Sequence, residues 1–456
     1  MAFYKRKDGE EHPHWPLGPF QIRLPFIHYR LETPEIIQGI VLFAIGLTVI
    51  PLLENYVGFS YEAALAVATI YLLTMLIPPL MGVPFVPGFI TAAIPLVIIF
   101  LGNFEPGPEA VRALIGLQLS VAVIFLLLGI TGLGKMIVTK LPNSLKSGIL
   151  IGAGIAAILG EIEAGGRLAT TPISLIIGTL VCFYLMFSNS FQQLYNKGRI
   201  AKVIANFGIM PAIIVAIIIG WASREYQTPT IEWGFVIPNF PELWNYTPFV
   251  VGLPDLNIIL LAIPTALIAY IIAYGDIVVG TSLLDRASEK RNDEKVPVSI
   301  SNLHTLTFFR NFVHALFAPH PGLAGPIFTA GTASVMERYK YGRKAMDSIH
   351  SGTNSLLIAM FISTITLPLV TLFQPVLPIA LSLTLILTGY LCISIGIDQV
   401  KTPAERGVAG VMAIVLFAYG AAHALIVGLI LYFLIQKKSN DKQEDQSFDE
   451  NIEKTG

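Results

Sequence analysis

Residues 89–93 read Phe-Ile-Thr-Ala-Ala and residues 327–331 read Ile-Phe-Thr-Ala-Gly, so two distant stretches of one chain look like copies of each other. Each follows a cluster of Pro and Gly inside an apolar segment: Pro84, Pro87 and Gly88 before the first, and Pro319, Pro321, Gly322, Gly325 and Pro326 before the second. Such breaks expose backbone, which hydrocarbon tolerates only where protein or a cavity covers it. A matching pair of interrupted segments in two halves of a chain indicates the central site of a secondary transporter. The alternative is two ordinary Pro-kinked helices whose likeness is chance.

Composition assigns the chain to the membrane. Of its 456 residues 54% are hydrophobic and only 13% are charged, and the mean hydropathy is +0.69. A soluble protein carries about 25% charged residues, so we expect an integral membrane protein. Cys182 and Cys392 both lie in apolar segments, and neither a disulfide nor a metal site is predicted.

The hydrophobic pattern predicts fourteen spanning or half-spanning segments, seven on each side of a wetter stretch. They lie at about 36–53, 61–81, 85–102, 112–132, 144–160, 171–188, 203–222, 256–284, 298–318, 325–337, 351–373, 377–396, 405–417 and 419–436. The interrupted pair is third in each half. An odd number per half gives the second half an inverted topology.

The predicted fold is therefore an all-α polytopic membrane protein, a 7+7 inverted repeat with broken third and tenth helices. The predicted parts are a cytoplasmic N-terminal segment, a first repeat, an extracytoplasmic connector, a second repeat and a disordered cytoplasmic tail, at residues 1–35, 36–222, 223–254, 255–437 and 438–456.

Charge asymmetry supports this count, because cytoplasmic loops hold most Lys and Arg. With the N-terminus inside, the inner loops contain Lys135, Lys140, Lys146, Lys197, Arg199, Lys202, Arg286, Lys290, Arg291, Lys295, Arg338, Lys340, Arg343, Lys344, Lys401, Arg406, Lys437 and Lys438. The outer loops contain only Arg112, Arg167 and Arg224. Both termini are predicted to be cytoplasmic, in a cell (inner) membrane.

Asp276 is the most prominent ionisable residue inside a predicted span. A charge at the bilayer centre costs about 3 kcal/mol or more, so such residues are functional candidates. Gly275 and Gly280 flank it, and no basic partner lies in the same segment. We predict a coupling-ion or proton site at Asp276 and Thr281, or a direct contact of Asp276 with the substrate. The alternative is a carboxylate that caps a helix or packs one helix against another.

The two copied stretches are predicted to begin half-helices whose N-termini meet near the midplane, where free N–H groups favour an anion or a polar acceptor. Their hydroxyls, glycines and aromatic rings give the predicted substrate-binding residues Phe85, Gly88, Phe89, Thr91, Gly325, Phe328, Thr329, Gly331 and Thr332. Each Thr hydroxyl could instead bond its own helix, and each ring could simply pack.

Two further polar residues receive structural interpretations. Arg310 is a basic residue well inside a predicted span, and we predict a static salt bridge with a carboxylate from another helix. His320 lies between two prolines and is predicted to be a loop histidine.

Three patches resemble the superfamily that joins xanthine/uracil permeases (nucleobase–cation symporters), adenine/guanine permeases and sulfate permeases. Residues 275–281 resemble the acidic eighth segment of the purine permeases, residues 325–343 their tenth, and residues 408–435 their last two. The resemblance implies fourteen spans in a core and a gate domain, substrate bound between the third and tenth spans, an elevator-like movement and a homodimer.

One departure from that pattern bears on the substrate. Nucleobase permeases carry a glutamate in the tenth span where this chain has Gly331-Thr332-Ala333. The resemblance to sulfate and bicarbonate transporters, which lack that glutamate and bind oxyanions at half-helix N-termini, therefore favours a small anion. A nucleobase such as uracil, xanthine or a purine remains the alternative.

The expected function is secondary active transport, coupled to Na⁺ or H⁺. The expected partners are a small-molecule or ion substrate and the lipid bilayer; no nucleic acid and no cofactor other than Na⁺ as a coupling ion is expected. An anion channel is less favoured than a carrier. An enzyme is not expected, because the sequence shows no paired metal-ligand motif, no nucleophile–base set and no nucleotide-binding loop.

Overall fold

The computed structural model describes residues 4, 6–163, 166–198, 201, 204 and 209–436. The predicted tail at 438–456 and the start of the predicted seventh segment at 203–222 lie outside these residues, apart from residue 204.

The described chain is built almost wholly of helices. They run over Thr33–Leu47, Val49–Val57, Tyr61–Met75, Ile77–Leu80, Ile94–Leu101, Pro108–Thr131, Gly134–Lys140, Asn143–Ile162, Arg167–Thr170, Pro172–Phe187, Asn189–Lys197, Met210–Ala222, Phe240–Trp244, Pro248–Val251, Leu256–Ser288, Ile300–Phe317, Thr329–Tyr339, Ile349–Thr364, Leu367–Phe373, Leu377–Gln399 and Pro403–Leu431. Short 3-10 turns lie at Thr91–Ala93 and Gln374–Val376, and a π-helical turn at Tyr432–Gln436. Strands of two or three residues lie at Glu10–Glu11, Trp15–Leu17, Phe20–Ile22, Gly88–Phe89, Glu294–Lys295 and Ala324–Gly325.

Seven helical runs of the described chain are long and apolar enough to cross a membrane. They are Thr33–Val57, Tyr61–Leu80, Pro108–Thr131, Asn143–Thr170, Leu256–Ser288, Leu367–Gln399 and Pro403–Gln436. Thr91–Leu101, Pro172–Phe187 and Met210–Ala222 are apolar but shorter. The chain is thus a multi-pass membrane protein, and the finer count of fourteen remains a prediction.

Two predicted spans differ in character from simple hydrophobic helices. Ile300–Phe317 forms as a helix, but three of its polar side chains, Arg310, Asn311 and His314, are turned into the protein and fully buried. At the C-terminal end, where two spans are predicted, a helical run begins at Pro403 and is interrupted at Gly420, which has a φ of 83°. Glycine adopts this left-handed conformation without the penalty that a side chain would bring.

The helices pack in two sets. In one, Pro108–Thr131 packs against Leu256–Ser288 and Ile300–Phe317, while Thr33–Leu47 packs against Ile349–Thr364. In the other, Asn143–Ile162 packs against Leu377–Gln399 and Pro403–Leu431, and Pro172–Phe187 packs against Met210–Ala222. The two sets contact each other where Leu256–Ser288 packs against Pro403–Leu431.

Residues 6–32, here called the N-terminal strap, fold onto the helices. Glu10–Glu11 pairs in parallel with Glu294–Lys295, which follows the long helix Leu256–Ser288. Arg6 donates to Asp293 Oδ2 at 2.8 Å and to the Asp347 carbonyl at 2.9 Å. Hydrogen bonds from Arg291 and Arg6 outweigh the effect of burial and lower the pKa of Asp293 to about 2. The strap therefore joins two loops that are far apart in the sequence.

His12 lies at the centre of the strap and is 2% exposed. Its Nε2 lies 2.7 Å from the His28 carbonyl, which can only accept, so Nε2 carries a hydrogen. Burial, assisted by the charge of Arg23, lowers the pKa of His12 to about 4 against the effect of that hydrogen bond. His12 is thus held as a neutral imidazole near neutral pH.

Candidate binding site

The two copied stretches lie against each other. We call residues 84–101 the first broken segment and residues 319–339 the second broken segment. Their extended parts form an antiparallel pair in which Gly88 faces Gly325 and Phe89 faces Ala324. The Phe328 amide donates to the Val86 carbonyl at 2.6 Å, which extends the pairing toward the helix of the second segment. The backbone that each break exposes is therefore covered by the other break, as the bilayer requires.

The helix Ile300–Phe317 completes the pairing from behind. Asn311 donates from Nδ2 to the Ala324 carbonyl at 2.7 Å and accepts from the Ala324 amide at 2.9 Å. Its side-chain amide thus makes the two hydrogen bonds that a neighbouring strand would make with Ala324. Arg310 donates from Nη1 to the Gly325 carbonyl at 2.8 Å. These contacts fix the extended residues of the second broken segment.

The salt bridge predicted for Arg310 is wrong. Within the described chain no carboxylate lies within 4 Å of its guanidinium. The side chain binds a main-chain carbonyl instead, because an extended break leaves carbonyl oxygens that need a donor.

Asp276 contacts the start of the second half-helix. The Thr329 hydroxyl donates to Asp276 Oδ1 at 2.8 Å, and Thr329 is the first residue of its helix. Both residues are half-buried. The structure thus brings together two residues that were singled out for different roles, one for coupling and one for substrate.

The two half-helices start differently. The second helix begins directly at Thr329, whereas the first passes through a 3-10 turn at Thr91–Ala93 before the α-helix starts at Ile94. First-turn amides that have no partner within a helix give its start a partial positive charge. In the first half-helix, however, Ala93 and Ile94 already donate to the carbonyls of Ile90 and Thr91, and Pro95 has no N–H. The turn at Thr91–Ala93 touches the helices Leu256–Ser288, Asn143–Ile162 and Leu377–Gln399. The site therefore lies where the two sets of helices meet.

Protein atoms fill the space beside each of the predicted glycines. A Cβ added at Gly88 would lie 2.6 Å from the Cβ of Phe328, and one added at Gly331 would lie 2.6 Å from the ring of Phe328. A Cβ at Gly325 would lie 2.9 Å from the Phe89 carbonyl oxygen. In this conformation these glycines admit the partner segment, and their predicted role in substrate approach stays a prediction.

The aromatic residues fall into buried and half-buried groups. Phe85 is fully buried, and Phe89, 8% exposed, stacks on Tyr71 with ring centres 4.2 Å apart and planes at 14°. Phe328 is half-buried, in the notch between Gly88 and Gly331. Tyr71 carries no sequence signal that distinguishes it from other aromatics in apolar segments.

Two further predicted threonines, Thr332 and Thr281, bond within the protein. Thr332 Oγ1 accepts from the Val86 amide at 3.1 Å, which is a second link between the broken segments. Thr281 donates to the carbonyls of Ile277 and Val278 in its own helix, both at 2.9 Å. The hydroxyl beside Asp276 thus comes from Thr329 rather than Thr281. A Cβ added at Gly280 would lie 2.5 Å from Ile327 Cδ1.

His320 lies in the loop between Ile300–Phe317 and Ala324–Gly325, as predicted, and it is fully buried there. Its amide donates to Gln118 Oε1 at 3.2 Å, and its ring meets the rings of Tyr71 and His314 edge-on at 4.8 and 4.5 Å. The prolines on either side place it in a turn that packs inward.

A cavity of about 390 Å³ shares no residue with the predicted site. It is lined by Asn55, Tyr56, Leu101, Gly102, Asn103, Phe104, Glu105, Pro106 and Glu109.

Comparison with known families decides the identity of the fold. The sequence profile described as "Permease family", of the xanthine/uracil permease type, matches residues 60–299. The chain belongs to the permease family. The resemblance to the superfamily of xanthine/uracil and sulfate permeases is thereby confirmed, and this permease is a membrane transporter. A search of the curated proteins gave no match.

Two solved structures share the fold of this permease at low sequence identity. The murine solute carrier 26 family member A9 anion transporter in the inward-facing state has a TM-score of 0.52 and 15% identity, covering 89% of this chain and 68% of that chain. A second structure, of SLC26A9, has a TM-score of 0.51 and 15% identity, covering 88% of this chain and 64% of that chain. The transmembrane domain of a cyanobacterium bicarbonate transporter has a TM-score of 0.49 and 13% identity, with coverage of 87% and 96%.

Proposed function

We propose that this permease is a secondary active carrier of a small anion such as sulfate or bicarbonate, coupled to Na⁺ or H⁺. The anion binds between the starts of the two half-helices, and the coupling cation binds at Asp276. The observation that carries this proposal is the hydrogen bond between Thr329 and Asp276 at the start of the second half-helix.

The chemistry of the paired breaks supports an anion. Both half-helices place the positive end of a helix dipole at the breaks, and such ends favour negative charge. The second supplies most of the free first-turn amides, because Ala93 and Ile94 of the first are bonded to the carbonyls of Ile90 and Thr91. A carboxylate only one hydroxyl away opposes an anion unless a cation accompanies it. Binding of the two ions together removes this conflict, which is the physical basis of coupling in the proposal.

Several finer features belong to the same proposal. The seven-plus-seven inverted repeat is supported by helices near each predicted segment, with the two broken ones third in each half. The two sets of packed helices are proposed as the core and gate domains, and elevator movement of the core past the gate as the transport step. Both termini are proposed to face the cytoplasm, in a homodimer that crosslinking in membranes would test.

The substrate is tested first by thermal unfolding of the detergent-purified protein. Sulfate, bicarbonate, small carboxylates, uracil, xanthine and adenine are compared, each with and without sodium. A ligand at about 100 times its dissociation constant stabilises the folded state by roughly 2.7 kcal/mol. We expect an oxyanion to raise the melting temperature, and sodium to increase the effect.

Uptake into proteoliposomes then separates a carrier from a channel. A carrier shows saturable uptake and counterflow of labelled anion, whereas a channel shows neither. Stabilisation by uracil, xanthine or adenine alone would overturn the anion assignment and favour a nucleobase symporter. Sodium-independent and pH-independent uptake would overturn the coupling.

A further inference from the structure

A buried polar cluster lies directly behind the paired breaks. We call Tyr71, Gln118, Arg310, His314 and His320 the arginine cluster. Each of these side chains is at most 1% exposed. Phe89 joins the cluster to the breaks, because its ring stacks on Tyr71 and lies 5.7 Å from the ring of His320.

Arg310 carries a charge that the neighbouring protein does not neutralise. A guanidinium stays protonated in proteins, and a buried charge is costly unless it is paired. Arg310 uses Nη1 to bind the Gly325 carbonyl, while Nε and Nη2 have no hydrogen-bond partner in the described chain. Its guanidinium carbon lies 5.7 Å from the centre of the Tyr71 ring.

The rest of the cluster adds donors rather than negative charge. Gln118 uses its oxygen to accept from the His320 amide, and its Nε2 has no partner among the residues that the structure describes. The same residues offer no partner to either ring nitrogen of His320. His314 lies 2.8 Å from Thr74 Oγ1 and 3.2 Å from the Ala318 carbonyl. Among the described residues the cluster therefore carries a net positive charge, that of Arg310.

The second broken segment connects this charge to the proposed site. Gly325, held by Arg310, faces Gly88 across the strand pair, and Thr329, held by Asp276, lies four residues further along. The short stretch from Gly325 to Thr329 thus has a fixed cation at one end and a carboxylate at the other.

We propose that Arg310 is the charge-selecting residue of this site, a positioning residue that acts on the anion through its field without contacting it. The inference rests on the proposed anion transport and adds the origin of its charge selectivity. Arg310 attracts the anion toward the paired breaks, while Asp276 holds the cation on the other side. The effect must grow with the charge of the anion, because the Coulomb energy is proportional to that charge.

The test compares a monovalent and a divalent anion in the purified full-length protein. Dissociation constants for bicarbonate and sulfate are measured in sodium buffer with the wild type, Arg310→Lys and Arg310→Gln. We take a separation of roughly 10 Å between the guanidinium and the bound anion and an effective dielectric constant of about 20. Loss of the arginine charge then lowers the affinity for a monovalent anion about tenfold and for a divalent anion about a hundredfold or more. Arg310→Gln is expected to show this difference, and Arg310→Lys to keep the ratio of the two constants near the wild-type value.

A second variant tests the field while Arg310 remains in place. Gln118→Glu keeps the oxygen that accepts from the His320 amide and adds a negative charge within the cluster. We expect the same charge-dependent loss of affinity, with sulfate affected more than bicarbonate.

Equal weakening of both anions by Arg310→Gln and Gln118→Glu, or no weakening, would overturn the role of Arg310 and leave a structural one. Wild-type protein that binds neither anion would instead overturn the proposed function. Melting temperatures without ligand identify variants that fail to fold, and in that case Gln118→Glu decides alone.

Discussion

The hydroxyl of Thr329 donates to Oδ1 of Asp276 across 2.8 Å. This contact joins the first residue of the second half-helix to the middle of the long helix Leu256–Ser288. A carboxylate that accepts a single side-chain hydroxyl keeps lone pairs for another ligand. The pair therefore gives the most direct tests of the cation site proposed at Asp276.

Replacement of Asp276 by Asn is expected to abolish cation coupling and leave the fold intact. The amide oxygen can still accept from Thr329, but the negative charge that attracts a cation is gone. Sodium-driven or proton-driven uptake in proteoliposomes should fall to the uncoupled level, while the melting temperature without ligand stays near that of the wild type. Asp285→Asn, an exposed carboxylate on the same helix, is the matched control and should transport normally.

Wild-type coupled uptake by the Asp276→Asn protein would remove Asp276 from the mechanism. Loss of coupling in Asp285→Asn as well would point to a general effect of charge on this helix.

Thr329 and Thr281 make opposite predictions, since only Thr329 bonds Asp276. Thr329→Val removes the hydroxyl without a large change in volume and should lower the affinity for the coupling cation about tenfold. Thr329→Ser should keep the affinity, and Thr281→Val should leave it unchanged. The cation dependence of initial uptake rates measures each constant.

The reverse result, with Thr281→Val impaired and Thr329→Val normal, would restore the role that the sequence predicted for Thr281. It would also require that Thr281 turn away from the carbonyls of Ile277 and Val278 during transport.

The sequence located the broken segments because Pro, Gly and a repeated pentapeptide are local signals. It also identified Asp276 and Thr329 separately, since a carboxylate and a hydroxyl inside apolar segments are visible without any contact. The contact between them was not predictable, because it depends on how two segments more than fifty residues apart are placed. The same limit explains why Thr281, nearer in the sequence, was chosen as the partner.

The partners of Arg310 and Asn311 and the burial of His320 could not be predicted from the sequence. A salt bridge was the natural expectation for a buried arginine, but the second break presents the Gly325 carbonyl, and that acceptor takes the guanidinium. The side-chain amide of Asn311 binds both the carbonyl and the amide of Ala324. These hydrogen bonds could be predicted only if the extended residues were known to lie beside the helix. His320 is buried because its turn folds inward, and flanking prolines do not reveal the direction of a turn.

Gly88 is expected to be intolerant of a side chain. A Cβ there would lie 2.6 Å from the Cβ of Phe328, so Gly88→Ala must separate the paired breaks. Overpacking of this kind costs roughly 1–3 kcal/mol, and we expect a lower melting temperature together with slower uptake. Gly275→Ala is the control, because no atom lies within 4 Å of its added Cβ and alanine is the better helix former. A Gly88→Ala protein as stable and active as the wild type would show that the paired breaks separate freely.

Acidification is expected to loosen the N-terminal strap through His12. The pKa of His12 is lowered from 6.5 to about 4 in the folded protein, so between these values the unfolded chain binds more protons. Its contribution to stability is therefore complete above pH 6.5 and is lost as the pH falls toward 4, by at most roughly 3 kcal/mol. His12→Gln keeps a donor for the His28 carbonyl and removes the titration, so its melting temperature should fall less between pH 7 and pH 4.5. His14→Gln, two residues away and half-buried, should follow the wild type; parallel curves for the wild type and His12→Gln would show that other groups control the acid response.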